Sequence, residues 1–140
     1  AISKAEAAWK KGNFKTAKGA YQDALKSDPL SYPAALGLAK AHLKTDSTQK
    51  GQLQALEAYK QACSLRPSAI STFLAAAELA VKVGHNAEAT AIYSRAVAAD
   101  PASLEALDGL IRSLRRAKGN SPAAQAYQSY RDFLAAGKKK

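Results

Sequence analysis

Residues 70–101 read ISTFLAAAELAVKVGHNAEATAIYSRAVAADP, and the fold follows from how small and bulky side chains alternate along them. From Ile70 to Lys82 the stretch is alanine-rich and amphipathic, and Gly84 breaks it, glycine being the usual residue just past a helix C-terminus. Beyond the break, Ala89, Tyr93 and Ala96 stand at i, i+4 and i+7, on one face of a second helix. Small residues there let a neighbouring helix come close, and the tyrosine ring fills the volume beside them. Asp100-Pro101 closes the unit, because the residue before a proline is biased out of the helical region. The stretch encodes a helical hairpin.

The same columns recur along the chain. Tyr21, Tyr59, Tyr93 and Tyr127 are spaced by 38, 34 and 34 residues. Four residues before each lies Ala17, Ala55, Ala89 or Ala123, and three after the first three lie Ala24, Ala62 and Ala96. Pro29, Pro67 and Pro101 keep the same interval, and columns sharing one period mark a repeat architecture. Eight helices in antiparallel pairs are expected, over 2–11 and 14–27, 32–44 and 52–65, 70–82 and 86–99, and 104–117 and 122–136. Ser121 and Pro122 supply the last helix with a cap and a first-turn proline.

These residues resemble the tetratricopeptide repeat family. Trp9-Lys10-Lys11-Gly12-Asn13-Phe14, Ala17, Tyr21, Ala24 and Pro29 match the later part of its pattern, and Phe73, Ala76, Ala77, Ala80, Gly84, Ala89, Tyr93 and Ala96 match the third repeat throughout. The resemblance implies an all-α, right-handed superhelix, a solenoid of about four hairpins. These are repeats 1–29, 30–67, 68–101 and 102–136 of a single domain over 1–137, followed by a basic tail at 138–140 expected to be disordered. Three departures stand out. The first repeat lacks the opening turn of its first helix. The second carries four extra residues within 45–51, read as an extended loop open to partner contact or as a tolerated insertion. The fourth puts Tyr130 at the last small position and lacks the closing proline, so its last helix is expected to act as a solvating cap bearing Arg131 and Asp132.

In this family the first helix of each pair lines a concave groove. In that register the inward positions are Glu6, Trp9 and Lys10; Leu36, Lys40, Leu43 and Lys44; Leu74, Glu78, Val81 and Lys82; and Asp108, Arg112, Arg115 and Arg116. The column Lys10, Lys44, Lys82, Arg116 is basic throughout, and such a ladder suits the carboxylates of an extended acidic peptide. Two readings stand side by side: ligand contact, or a structural role, the helix dipole favouring cations in the last turn and opposite charges on neighbouring helices pairing with one another. Arg112, Arg115 and Arg116 form the densest cluster, with few acids close in sequence. Some relatives grip chaperone C-termini with a Lys/Asn clamp. Ile2, Glu6, Gly37, Ser71 and Ala75 stand where it is sought, and Glu105 and Gly109 in a shifted frame, so that mode of binding is not expected.

Composition bounds the alternatives. Twenty-one Lys and Arg against eleven Asp and Glu leave a net charge of +10, which draws acidic partners from a distance. Nucleic acid qualifies on charge, but Leu36, Leu74 and Val81 among the inward positions argue against a base-by-base code. Three terminal lysines fall short of a membrane-binding polybasic patch, and no apolar run reaches the roughly 18 residues of a bilayer span. Self-association through exposed repeat ends is a further expectation. His42, His85 and the single Cys63 sit apart, without metal spacing or a nucleophile motif, so neither cofactor nor catalysis is expected. Starting at Ala1 with no Met, the chain reads as a mature product or an excised piece, which leaves its compartment open.

Overall fold

The structure, a computed structural model, describes residues 2–138. Its helices are α1 (Ile2–Lys10), α2 (Phe14–Ser27), α3 (Tyr32–Thr45), α4 (Gln49–Leu65), α5 (Ile70–Lys82), α6 (Asn86–Ala99), α7 (Leu104–Lys118) and α8 (Pro122–Lys138). Among the described residues there is no strand, so the class is all-α and built from helical hairpins, as the repeat predicts. Of the tail expected at 138–140, Lys138 is the last residue of α8 and the other two lie outside the described residues. No described helix is long and apolar enough to cross a membrane. The chain divides into two compact units, up to Pro67 and from Ser68, at the boundary between the second and third repeats.

In the first unit α1 packs on α2, α2 on α3, and α3 on α4. Alanine makes the core: Ala5 and Ala8 of α1, Ala17, Ala20 and Ala24 of α2, and Ala34 and Ala41 of α3 enclose the ring of Tyr21. The closest approach falls at Gly37, where a Cβ would collide with Cε1 and Cζ of Tyr21. Chemistry legible in the sequence sets the helix ends. Gly12 turns the α1–α2 hairpin at φ 79°, a region side chains avoid. Asp28, extended before Pro29, stops α2 and accepts a hydrogen bond from the Leu30 amide at 3.1 Å. Ser31 Oγ caps α3 by accepting from the Ala34 amide.

The insertion within 45–51 is not an extended loop. Its residues lengthen α3 to Thr45 and start α4 at Gln49, leaving 46–48 as the connection. Asp46 Oδ1 accepts from both the amide and the hydroxyl of Thr48, and Thr48 Oγ1 accepts from the Gly51 amide, so the extra residues are absorbed into a capped helix start. A Cβ at Gly51 would strike Asp46, which holds the turn tight.

In the second unit α5 packs on α6, α6 on α7, and α7 on α8. Phe73, Ala76, Ala77 and Ala80 of α5, Ile92 and Tyr93 of α6, and Leu107, Leu110 and Ile111 of α7 are buried. Gly109 meets Tyr93 as Gly37 meets Tyr21.

The fourth repeat departs from the tyrosine register. Ala123 is exposed rather than packed, Ala124 is fully buried in its stead, and Tyr127 is half-buried, out of line with Tyr21, Tyr59 and Tyr93. The reason is one residue added ahead of the hairpin turn: Gly84 stands 14 after Ile70, but Gly119 stands 15 after Leu104. Counted from the glycine, Ala124 lies at +5, as do Ala17 and Ala89, while Gln128 falls on the tyrosine position and Arg131 on the last alanine position. One residue rotates a helix face by about 100°. Tyr130 is therefore not the replacement for the last small residue. Arg131 is, and its guanidinium grips Asp108 of α7 through Nε at 2.8 Å and Nη2 at 3.3 Å. The expected solvating cap is thus inverted: the cation turns inward, while Tyr130 and Phe133 face out.

Candidate partner-binding groove

In the first unit Tyr32, Leu36, Lys40 and Lys44 recur every four residues along α3 and share one face. Trp9 of α1, Tyr21 of α2, Arg66 at the end of α4, and Tyr32, Leu36 and Lys40 of α3 enclose a pocket of about 250 Å³. A neighbouring hollow of about 350 Å³ shares Trp9 and Lys40 and adds Leu43 and Lys44. Trp9 is braced edge-on by Phe14, with ring centroids 4.8 Å apart at 67°. The Lys44 ammonium lies 5.5 Å from the Phe14 centroid, and the Arg66 guanidinium 4.0 Å from that of Tyr32. Aromatic faces attract cations there, so both charges are held at the pocket edge with donors to spare. Tyr21 ionises above its ordinary range, first because it is buried and then because Glu6 is near.

The second unit repeats this arrangement 72 residues on, the sum of one 38-residue and one 34-residue period. Glu6, Trp9, Tyr21, Gly37, Lys40 and Lys44 correspond to Glu78, Val81, Tyr93, Gly109, Arg112 and Arg116. The latter set, with Ser113, lines a pocket of about 150 Å³. Tyr93 ionises above its ordinary range, chiefly because it is buried and next because Glu78 is near, while the Arg112 cation works in the opposite direction. The arginine cluster is not free of acids in space: Glu78, an inward position of another helix, lines the same pocket as Arg112 and Arg116.

The remaining candidates are less concentrated. Arg115 is exposed on α7 outside the lining of that pocket. Lys10 and Lys82 are exposed in the last turns of α1 and α5, where the helix dipole favours a cation. Asp108 is held by Arg131. Arg66 and Tyr32 were missed from sequence, where Arg66 served only as the residue before Pro67. Their meeting spans 34 positions, and no local pattern encodes it.

A larger hollow of about 520 Å³ lies between α3 and α4, floored by Leu38 and His42 and walled by Gln54, Glu57, Lys60 and Ser64. It is the weaker candidate, because its Lys60 and Glu57 pair with each other at 3.1 Å. His42 is 8% exposed with Nδ1 buried and unpartnered among the described atoms, and burial followed by Lys18 lowers its pKa. His85 Nδ1 lies 3.2 Å from Glu88, and Cys63 is buried in α4. Among the described residues no three His, Cys, Asp or Glu gather as a metal site requires.

Residues 2–70 match the family model of the tetratricopeptide repeat. Among solved structures, the first such repeat domain of Spaghetti, bound to the HSP90 peptide SRMEEVD, is similar at 19% identity and a TM-score of 0.63, over 82% of this chain and 88% of that one. The repeat domain of Arabidopsis OM64 is similar at 20% identity and a TM-score of 0.61, over 80% of this chain and 89% of that one. MamA is similar at 18% identity and a TM-score of 0.57, over 96% of each chain. No curated protein matches the chain. At these identities the likeness speaks for the fold.

Proposed function

This chain belongs to the tetratricopeptide repeat family, a scaffold for protein–protein interaction that is generally non-enzymatic, and from that premise we propose that its first-helix faces bind an acidic segment of a partner protein within a larger assembly. What carries the reading is the recurrence, 72 residues apart, of two cations against a buried tyrosine and a glycine: Lys40 and Lys44, then Arg112 and Arg116. Guanidinium and ammonium groups at a half-apolar pocket mouth take carboxylates as charge-assisted hydrogen bonds, which are roughly twice as strong as neutral ones. The similar Spaghetti domain holds a peptide containing two adjacent glutamates. The ligand of this chain differs from that chaperone tail, because Gly37, Ser71 and Ala75 leave the Lys/Asn clamp unfilled.

The test measures binding of a library of acidic peptides to the chain and to its Arg112→Glu/Arg116→Glu variant by fluorescence anisotropy. Loss of about tenfold or more in affinity, with the helical circular dichroism unchanged, is expected for hot-spot arginines. Equal affinity for both proteins would remove the arginine pair from the site. Tight binding of generic RNA at physiological salt would replace the peptide reading with a nucleic-acid one.

A further inference from the structure

We propose that the outer face of α8 joins two copies of this chain as an antiparallel α8–α8 pair about a two-fold axis. The large hydrophobic residues exposed among the described residues are Leu30, Tyr130 and Phe133, and two of these three lie on α8. Tyr130 is 40% and Phe133 75% exposed. With the exposed Ala126 and Gly137 they recur at i, i+4, i+7 and i+11, one stripe along the helix. The opposite face, carrying Ala124 and Arg131, turns toward α7.

Two observations name a second copy as the occupant. The first is symmetry. A two-fold interface requires residue i to meet j while j meets i. The stripe satisfies this about the midpoint between Arg131 and Asp132: Tyr130 and Phe133 lie equally far to either side, and so do Ala126 and Gly137. Laid antiparallel, each Tyr130 meets Phe133 of the other copy at the centre, in the offset geometry aromatic pairs favour. Ala126 and Gly137 meet at the ends, where two small residues let the backbones approach.

The second is charge. The chain carries +10, yet from Pro122 to Gly137 its charged residues are Arg131 and Asp132 alone, and Arg131 is turned to Asp108. The stripe is thus a near-neutral patch on a basic molecule. Two like-charged copies repel less there than over the rest of the chain, the cations Lys138, Lys139 and Lys140 following the stripe only beyond its end in sequence.

Area sets the strength. Two aromatics and two small residues fall below the roughly 800 Å² per partner of a stable complex, so the dimer is weak, with a dissociation constant on the order of 100 µM.

Sedimentation equilibrium of the full chain, over a concentration series bracketing that value, tests the proposal. The expected result is a monomer–dimer equilibrium that tightens with added salt, because screening relieves repulsion between the copies. Phe133→Glu, at an exposed position, should leave the melting curve unchanged and weaken association by about tenfold or more. Mixing Ala126→Cys with Gly137→Cys chains, each in a Cys63→Ser background, should give mainly the mixed disulfide. A chain that stays monomeric throughout overturns the proposal and leaves the stripe to another segment or partner. Association indifferent to Phe133→Glu overturns it too, as does cross-linking that favours Ala126→Cys with itself, which would mean parallel helices.

Discussion

Replacing Gly109 by alanine should destabilise the second unit, against the intrinsic preference of a helix for alanine. In an exposed helix interior this change gains about 0.5–1 kcal/mol, because glycine loses more backbone entropy on folding. At Gly109 the new Cβ would overlap Cε1, Cδ1 and Cζ of Tyr93. The ring cannot swing away: Tyr93 is 3% exposed, on a helix packed against α7. Either α6 and α7 separate or the ring leaves its rotamer, and overpacking of that kind costs about 1–3 kcal/mol. The depth of the overlap places the cost at the upper end, so subtracting the helix gain leaves a net loss of about 2 kcal/mol. For a chain of this length that lowers the melting temperature by about 6–8 °C. Gly19 is the internal control. It sits within α2, where an added methyl would have nothing within 4 Å, and Gly19→Ala should raise stability by about 0.5–1 kcal/mol. Thermal and urea melts followed by far-ultraviolet circular dichroism compare the two variants directly. A Gly109→Ala chain as stable as the wild type would refute the close-approach argument at Gly109 and, with it, at Gly37.

Glu78→Gln should tighten binding of acidic peptides severalfold by removing the carboxylate that competes for Arg112 and Arg116, and isothermal titration would read the change. Asp108→Asn should lower the urea midpoint only slightly, because the ion pair it breaks has side chains still about a third exposed and is screened by solvent. His42 makes stability pH-dependent. Its folded pKa is depressed, so the unfolded chain takes up the proton first, and stability present above the ordinary imidazole value of about 6.5 is lost as pH falls below it. His42→Leu, which copies the Leu114 found 72 positions on, should flatten that segment of a melting-temperature-versus-pH series.

Most helix boundaries were legible because their signals are short-range. Expected spans 14–27, 70–82 and 86–99 coincide with α2, α5 and α6, each ended by a glycine, or by an aspartate ahead of a proline. The insertion at 45–51 was not legible, because polar residues rich in Thr, Ser and Gln look like loop until Thr48 is seen to cap α4. In the candidate groove, Lys40, Lys44, Arg112 and Arg116 were legible from the register of the family that the sequence resembles. The part played by Arg66 was not, since it depends on which helices meet.

Taken alone, the amino-acid order settled that this is a chain of paired helices with a recurring alanine–tyrosine face, since periodicity, caps and breaks act over a turn or two of backbone. Folding in three dimensions decided the rest: that Ala124 and Arg131 rather than Ala123 and Tyr130 face inward in the last repeat, that Asp108 belongs to Arg131, and that two aromatics are left in solvent on α8. The reason is angular. A single added residue barely disturbs a 34-residue period, yet it turns every later side chain of its helix by about 100°.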